Sequence, residues 1–226
     1  MAVLAISIGG SIILQEKKEV DYLNKLAKLL ISQSKRNKLF IVVGGGKLAR
    51  TYIKFARDLG ADEAFLDDIG IASTRLNARL LIAALDGHAY PKPAKDFDEA
   101  WIASKSHSIV VMGGTHPGHT TDAVAAMLGE RVGADRFINA TAVDGVYSAD
   151  PNKTPDAKKF KKLTPQKLLE LTVTTEHKAG PHVVIDPLAA RIIQRSGIPT
   201  YVVLGSDLKA LREAFAGKAA AGTLIK

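Results

Sequence analysis

Short apolar runs rich in Val and Ile alternate along the chain with longer segments whose apolar side chains recur at helical spacing. The runs lie at residues 3–8, 39–43, 108–112, 136–140 and 200–203, each bounded by Gly, Asn or Pro. Their near-continuous hydrophobicity predicts strands buried on both faces. Between them, residues 20–35 place Leu23, Leu26, Ala27 and Leu30 at helical spacing, and residues 69–85 do the same with Ala72, Leu76, Leu80 and Ala83. Both segments predict amphipathic or buried helices. Further helices are predicted over 121–131, 187–195 and 207–216. Strand and helix alternating in this way give an α/β fold, a parallel sheet covered by helices. No internal repeat and no linker rich in Pro, Gly and Ser divides the 226 residues, so the chain reads as a single domain with two lobes. The Pro-punctuated stretch 150–165 is the loop-rich junction.

Composition narrows the classes. With 46% hydrophobic and 24% charged residues the chain has the make-up of a globular protein, and the absence of Cys excludes disulfides, thiol catalysis and thiolate metal sites. The apolar start at residues 2–8 has no basic segment before it and is interrupted by Gly9 and Gly10, which argues against a signal peptide. No run reaches the roughly 18 apolar residues of a spanning helix, so a cytoplasmic protein is expected. A formal charge of +8 favours anionic partners, nucleotides or nucleic acid. Against nucleic acid stands the lack of interleaved aromatics, since the basic cluster 158–162 contains only Phe160.

Three glycine-rich loops follow three of the predicted strands. They are Gly9-Gly10-Ser11, then Gly44-Gly45-Gly46-Lys47-Leu48-Ala49-Arg50, then the stretch from Gly113 and Gly114 through Thr115, His116, Pro117, Gly118, His119 and Thr120 to Thr121 and Asp122. A glycine after a strand is by itself a tight turn. Three such loops at the carboxyl ends of parallel strands, carrying Ser, Lys, Arg and Thr, point instead to a phosphate-rich ligand on backbone N–H groups and helix N-termini. None has P-loop or dinucleotide-fingerprint spacing. A fourth motif runs from Asn139 through Thr141, Asp144, Gly145 and Tyr147 to Asp150 and Pro151. Its Asp-Gly pair predicts a hairpin, and Tyr147 and Asp150 are placed to flank a base and its ribose.

In their order, the GGS turn, VGGGKLAR, DDIGIASTRLNA, GGTHPGHTTDAVAA, ATAVDGVYSADP and VIDPLAARII resemble the archaeal-type uridylate (UMP) kinases of the amino acid kinase family, across nearly the whole chain. The resemblance implies an open, mainly parallel sheet of about eight strands sandwiched between helices. It implies one acceptor-binding lobe, about residues 1–140, and one ATP-binding lobe, about 141–226. The expected reaction is transfer of the ATP γ-phosphoryl group to UMP with Mg²⁺, in a homohexamer. Carried over residue by residue, it puts acceptor contacts at Gly45, Asp67, Thr115, His116, Pro117, Gly118, His119, Thr120 and Thr121, with Asp67 on the UMP ribose and Thr120 and Thr121 on the acceptor phosphate. Gly9, Gly10, Ser11, Gly46 and Arg50 fall about the ATP phosphates, and Thr141, Tyr147 and Asp150 about adenosine. Asp122 and Asp186 match acids that organise the site or its metal.

Each assignment has a plainer counterpart. Asp67 fits a helix N-terminal acid, Thr120 and Asp186 fit N-caps, and Arg50 fits a surface ion pair. Many family members carry Lys two residues before the first loop glycine, where this chain has Ser7. Lys47 is the candidate to supply part of that charge; the other reading is a solvated helix lysine. His116 and His119, and His177 and His182, lack zinc-site spacing, so no protein metal site is expected and they are read as touching substrate or solvent. Residues 172–182 read as an irregular, mobile loop at the nucleotide site. The rival functions are a kinase of the same fold acting on another small phosphate or carboxylate, and a non-catalytic nucleotide-sensing or RNA-binding protein.

Overall fold

The computed structural model describes residues 1–14, 19–149, 151, 154–176, 184–218 and 221–226. Among these residues the chain runs β1 (Ala2–Ile8), α1 (Gly10–Ile13), α2 (Glu19–Ser34), β2 (Asn37–Val43), α3 (Gly46–Asp58), α4 (Glu63–Ala84), α5 (Phe97–Ala103), β3 (Ile109–Met112), α6 (Thr121–Val132), β4 (Arg136–Thr141), β5 (Lys162–Leu163), α7 (Pro165–Glu176), α8 (Pro187–Ser196), β6 (Thr200–Leu204), α9 (Leu208–Phe215) and β7 (Thr223–Ile225). The strands form one sheet in the order β3-β2-β1-β4-β6-β7-β5, parallel throughout except where β7 runs against β6. The expected strands are all present, and seven are seen among the described residues where about eight were expected.

Alternation along the strands divides the interior into two cores. Leu4, Ile6 and Ile8 of β1, with Leu39 and Ile41 of β2, face α2, α4 and α9 through Leu26, Leu30, Leu81 and Leu211. Ala5, Phe40, Val42 and Phe137 face the other way, toward α5, α6, α7 and α8 through Ala100, Val124, Leu168 and Ile192. Burial on both faces is why these strands read as near-continuous apolar runs.

Three expectations change. The stripe Ala72, Leu76, Leu80 and Ala83 of α4 faces outward, with Leu76 57% exposed, while Leu66, Ser73, Thr74, Asn77, Ala78 and Leu81 face inward. Apolar periodicity marks a face that wants covering without saying which molecule covers it. The stretch expected to be irregular from 172 begins instead inside α7, where the Thr172 hydroxyl donates to the Leu169 carbonyl, and residues 177–182 lie outside the described residues. Asp144 and Gly145 do not close a two-residue hairpin either. The chain swings wide before Tyr147 bridges Lys159 antiparallel, with Gly145 at φ +154° against Thr223.

Candidate functional site

The strand order reverses at β1, which has β2 on one side and β4 on the other. In an open parallel sheet such a reversal splays the outgoing loops and leaves a crevice at the carboxyl ends. The loops that leave β1, β2, β3 and β4 there are the four motifs of the sequence.

The first two loops pack backbone to backbone. Gly9 donates its N–H to the Ala140 carbonyl at the end of β4, and Gly44 donates to the Ile8 carbonyl. A Cβ on Gly10 would stand 2.2 Å from the Gly46 nitrogen and 2.4 Å from the Gly44 carbonyl oxygen, so the approach is open only to glycine. Gly46 has φ +62°, the left-handed region that L side chains avoid. A Cβ on Gly44 would stand 2.8 Å from the Gly10 nitrogen and one on Gly45 2.5 Å from the Ala49 Cβ, so each position of the Gly-Gly-Gly turn has its own reason for glycine.

Helix α4 holds the loops after β2 and β3 from behind. The Asn77 side-chain amide donates to the carbonyls of Gly44 at 2.8 Å and Gly45 at 3.1 Å. The Thr74 hydroxyl accepts from the Gly114 N–H at 2.7 Å, and the Arg75 guanidinium donates to the Gly114 carbonyl. Near the start of α4, Asp67 accepts the Gly118 N–H at 2.7 Å, which fastens the 115–121 loop across the cleft. Thr74, Asn77 and Arg75 lie inside the DDIGIASTRLNA motif but were not singled out. The signal was there, in polar side chains on the inward face of a helix, and the outward apolar stripe hid it.

The cleft so formed has a volume of about 290 Å³. Gly45, Gly46, Arg50, Asp67, His116, His119, Thr120 and Thr121 all line it, so residues expected at acceptor and donor phosphates come together. Gly114, Gly70, Ile71 and Thr74 complete the wall. Lys47 is exposed at the start of α3 and is not part of that lining. Thr115, Pro117 and Gly118 shape the loop rather than the wall. Asp150 lies outside the described residues.

Across the crevice are two capped helices. Thr120 is the N-cap of α6, its hydroxyl accepting from the Ala123 N–H, and Asp186 is the N-cap of α8, its carboxylate accepting from the Ala189 N–H. The two caps are joined, because the Thr120 hydroxyl donates to Asp186. Capping and site assembly are therefore one arrangement here. The bond also commits the Thr120 hydroxyl, leaving the Thr121 side chain and the first-turn N–H groups of α6 other than that of Ala123 to face the cleft.

Behind them, Asp122 accepts from the Ser7 hydroxyl at 2.6 Å and from the Asn139 amide at 3.2 Å. Desolvation, with the nearby Asp186 charge adding to it, pushes the Asp122 carboxyl up to about 6 against the pull of those two donors. In the loop after β4, the Tyr147 hydroxyl donates to Asp144, which also pairs with Lys159 at 2.8 Å. Burial pushes Asp144 up, but the Lys159 and Tyr147 contacts outweigh it and hold the carboxyl below its ordinary value. This fixes the Tyr147 ring at the mouth of the β4 loop.

Residues 2–204 match the sequence profile of the amino acid kinase family. The chain is 53% identical to the uridylate kinase of Archaeoglobus fulgidus over 98% of this chain and 99% of that one, and 49% identical to the uridylate kinase of Pyrococcus abyssi over 95% and 96%. The crystal structure of the Archaeoglobus fulgidus enzyme superposes with a TM-score of 0.89 at 52% identity over the whole of both chains. That of UMP kinase from Ureaplasma parvum superposes at 0.79 with 24% identity over 100% of this chain and 98% of the other, a likeness of fold.

Proposed function

The chain belongs to the amino acid kinase family, and we propose that it transfers the γ-phosphoryl group of ATP to UMP, giving UDP and ADP. The observation that carries this reading is the pairing, in one cleft, of a carboxylate suited to a ribose diol with a helix N-terminus suited to a phosphate. The 49–53% identity to uridylate kinases over nearly the full chain supports it.

In this reading the β1–β3 half, about residues 1–140, takes the acceptor and the remainder takes ATP. Asp67 keeps lone pairs for the ribose hydroxyls while it accepts from Gly118. The phosphate of UMP rests on the first turn of α6, beside Thr121, with His116 and His119 closing the cleft. Its oxygen attacks the γ-phosphorus in line, forming one P–O bond as the bond from that phosphorus to the β,γ-bridging oxygen breaks, and ADP leaves. The acceptor is itself the nucleophile, so the protein positions and neutralises. Arg50, one turn into α3, presents a guanidinium fork to phosphate oxygens, and Gly9, Gly10, Ser11 and Gly46 bring backbone close to them. Lys47 adds positive charge at the rim. Thr141, Tyr147 and Asp150 take the adenosine.

Among the described residues no set of three or more His, Asp or Glu side chains gathers to cage a metal on its own. An acidic pair fits Mg²⁺, which keeps phosphate and water ligands and uses one or two carboxylates. Asp186, with Asp122 behind it, would hold the ion, which supplies charge neutralisation at the transferring group. No helix among the described residues is long and apolar enough to cross a membrane, and we place the enzyme in the cytoplasm.

Self-association belongs to the same reading. Tyr52, Phe55 and Leu59 lie along one face of α3, and Phe65, Leu76 and Leu80 are exposed on the adjoining α4. Large apolar side chains exposed on two adjoining helices support an interface between copies within a hexamer. Phe55→Glu combined with Leu76→Glu is expected to convert the hexamer to a smaller species in light scattering after size exclusion. An unchanged mass would place the interface elsewhere.

The assay that tests the function measures ADP release with ATP and Mg²⁺ and offers UMP, CMP, AMP, isopentenyl phosphate, carbamate and N-acetylglutamate in parallel. Selective turnover of UMP is expected. Asp67→Asn should raise KM for UMP about tenfold, the worth of a charge-assisted hydrogen bond, with kcat within about threefold. Turnover of a different acceptor keeps the fold and discards the substrate, and no turnover with any of them favours a sensing role.

A further inference from the structure

We infer that Ser7 and Asn139 are positioning residues for the phosphoryl transfer, acting through Asp122 to hold the N-terminus of α6 across the seam between the two halves of the sheet. The inference rests on the kinase reading above.

Ser7 and Asn139 are register partners where β1 pairs with β4, the junction of the two halves. Both are 1% exposed, and both are polar exceptions in strands otherwise lined by Ala5, Ile6, Ile8, Phe137 and Ile138. A buried hydroxyl and a buried amide weaken a core unless something takes their hydrogen bonds. Here one carboxylate takes both, Ser7 on Oδ1 at 2.6 Å and Asn139 on Oδ2 at 3.2 Å. The Asn139 amide also lies 3.4 Å from the carbonyl of Val184, two residues before the cap of α8.

Asp122 is the second residue of α6, so this clamp sets where the first turn of that helix stands relative to β1 and β4. The Thr120–Asp186 bond then closes a ring through α8. In the kinase reading the first turn of α6 seats the acceptor phosphate, while β4 leads into the loop taken to hold adenosine. Ser7 and Asn139 touch neither nucleotide in this arrangement. What they govern is the distance and angle between the two phosphates, and in-line transfer is sensitive to misplacement of the order of 1 Å. Binding energy, spread over the ribose, base and phosphate contacts, is little affected.

Ser7→Ala and Asn139→Ala are each expected to lower kcat with UMP about tenfold, leaving KM for UMP and ATP within about twofold. Ser7→Thr, which keeps the hydroxyl, should restore kcat to within about threefold of the parent. The double variant Ser7→Ala/Asn139→Ala should be less than about threefold slower than the slower single, because both residues act through one carboxylate. Calorimetric UMP binding and thermal melting of each variant are measured alongside, with Ser104→Ala as control, an equally buried hydroxyl that donates to the Trp101 carbonyl far from the cleft. Unchanged kcat in both single variants overturns the proposal. So does a loss confined to KM or to UMP affinity, a Ser7→Thr variant as slow as Ser7→Ala, or a fall in kcat that Ser104→Ala reproduces at equal loss of melting temperature. A parent protein that phosphorylates nothing overturns the kinase reading itself, which separates that failure from this one.

Discussion

Gly10→Ala is expected to lower turnover with UMP by about 100-fold and to destabilise the fold by about 3 kcal/mol or more, whereas Gly9→Ala should leave stability within about 0.5 kcal/mol. The contrast between neighbours comes from what a methyl group would meet. At Gly10 it would lie 2.2 Å from the Gly46 nitrogen, 2.4 Å from the Gly44 carbonyl oxygen and 2.6 Å from the Gly45 carbonyl carbon, all backbone atoms without a rotamer to yield. The two loops would have to part by more than an ångström. At Gly9, where φ is −56° and ψ 136°, alanine is comfortable, and the nearest atom to its methyl is the Ala140 carbonyl oxygen at 3.5 Å. Parting the β1 and β2 loops separates the elements read here as holding donor and acceptor, so the rate falls even in molecules that stay folded. Melting curves and steady-state rates on the two single variants decide the matter. Equal effects at both positions would mean that the loops do not touch in solution as they do here.

That approach of loops was legible only in part. The triple glycine and its place after a strand mark an anion-binding turn, but the sequence does not say that Gly10 and Gly44–46 press on each other. The five longer strands were readable because burial on both faces keeps their runs almost wholly apolar, with Ser7 and Asn139 among the few polar positions inside them. Strands β5, of two residues, and β7, of three, are too short to carry a period. Helix α3 was foreseen only as the element the second loop leads into. Its inward face is small, with Ala49 and Ala56 buried, while its large apolar residues Tyr52, Phe55 and Leu59 point outward. The rule that large apolar residues face the core runs backwards here, as it does on α4, where Leu76 and Leu80 are exposed and Thr74 and Asn77 are buried. Of the site, residues on loops were legible because motif and chemistry coincide there. Thr74, Asn77 and Asn139 were not, because each acts through a contact distant in sequence.

Asp122→Asn is expected to stabilise the protein at pH 7.5 by about 2–3 kcal/mol, a rise of roughly 4–12 °C in melting temperature for a chain of this size, while slowing turnover about tenfold or more. In the folded chain desolvation lifts the Asp122 carboxyl to about 6, whereas in the unfolded chain it titrates near 4. Between those values the unfolded state releases its proton first, so the native state binds more protons and stability falls as pH rises. The penalty is absent below about pH 4 and complete above about pH 6. Asparagine does not titrate, and it can accept from Asn139 through its oxygen while donating to a reversed Ser7 hydroxyl, so the clamp survives. The difference in stability between variant and parent should therefore be small at pH 4 and grow to its full size by pH 7, which denaturant unfolding across that range measures directly. A constant difference at all pH values would mean that Asp122 does not carry the penalty. In the kinase reading proposed above, the Asp122 charge stands beside Asp186, where a triphosphate would bring its cation. On that reading, loss of the charge would weaken neutralisation at the transferring group, so stability and rate should move in opposite directions in the same variant.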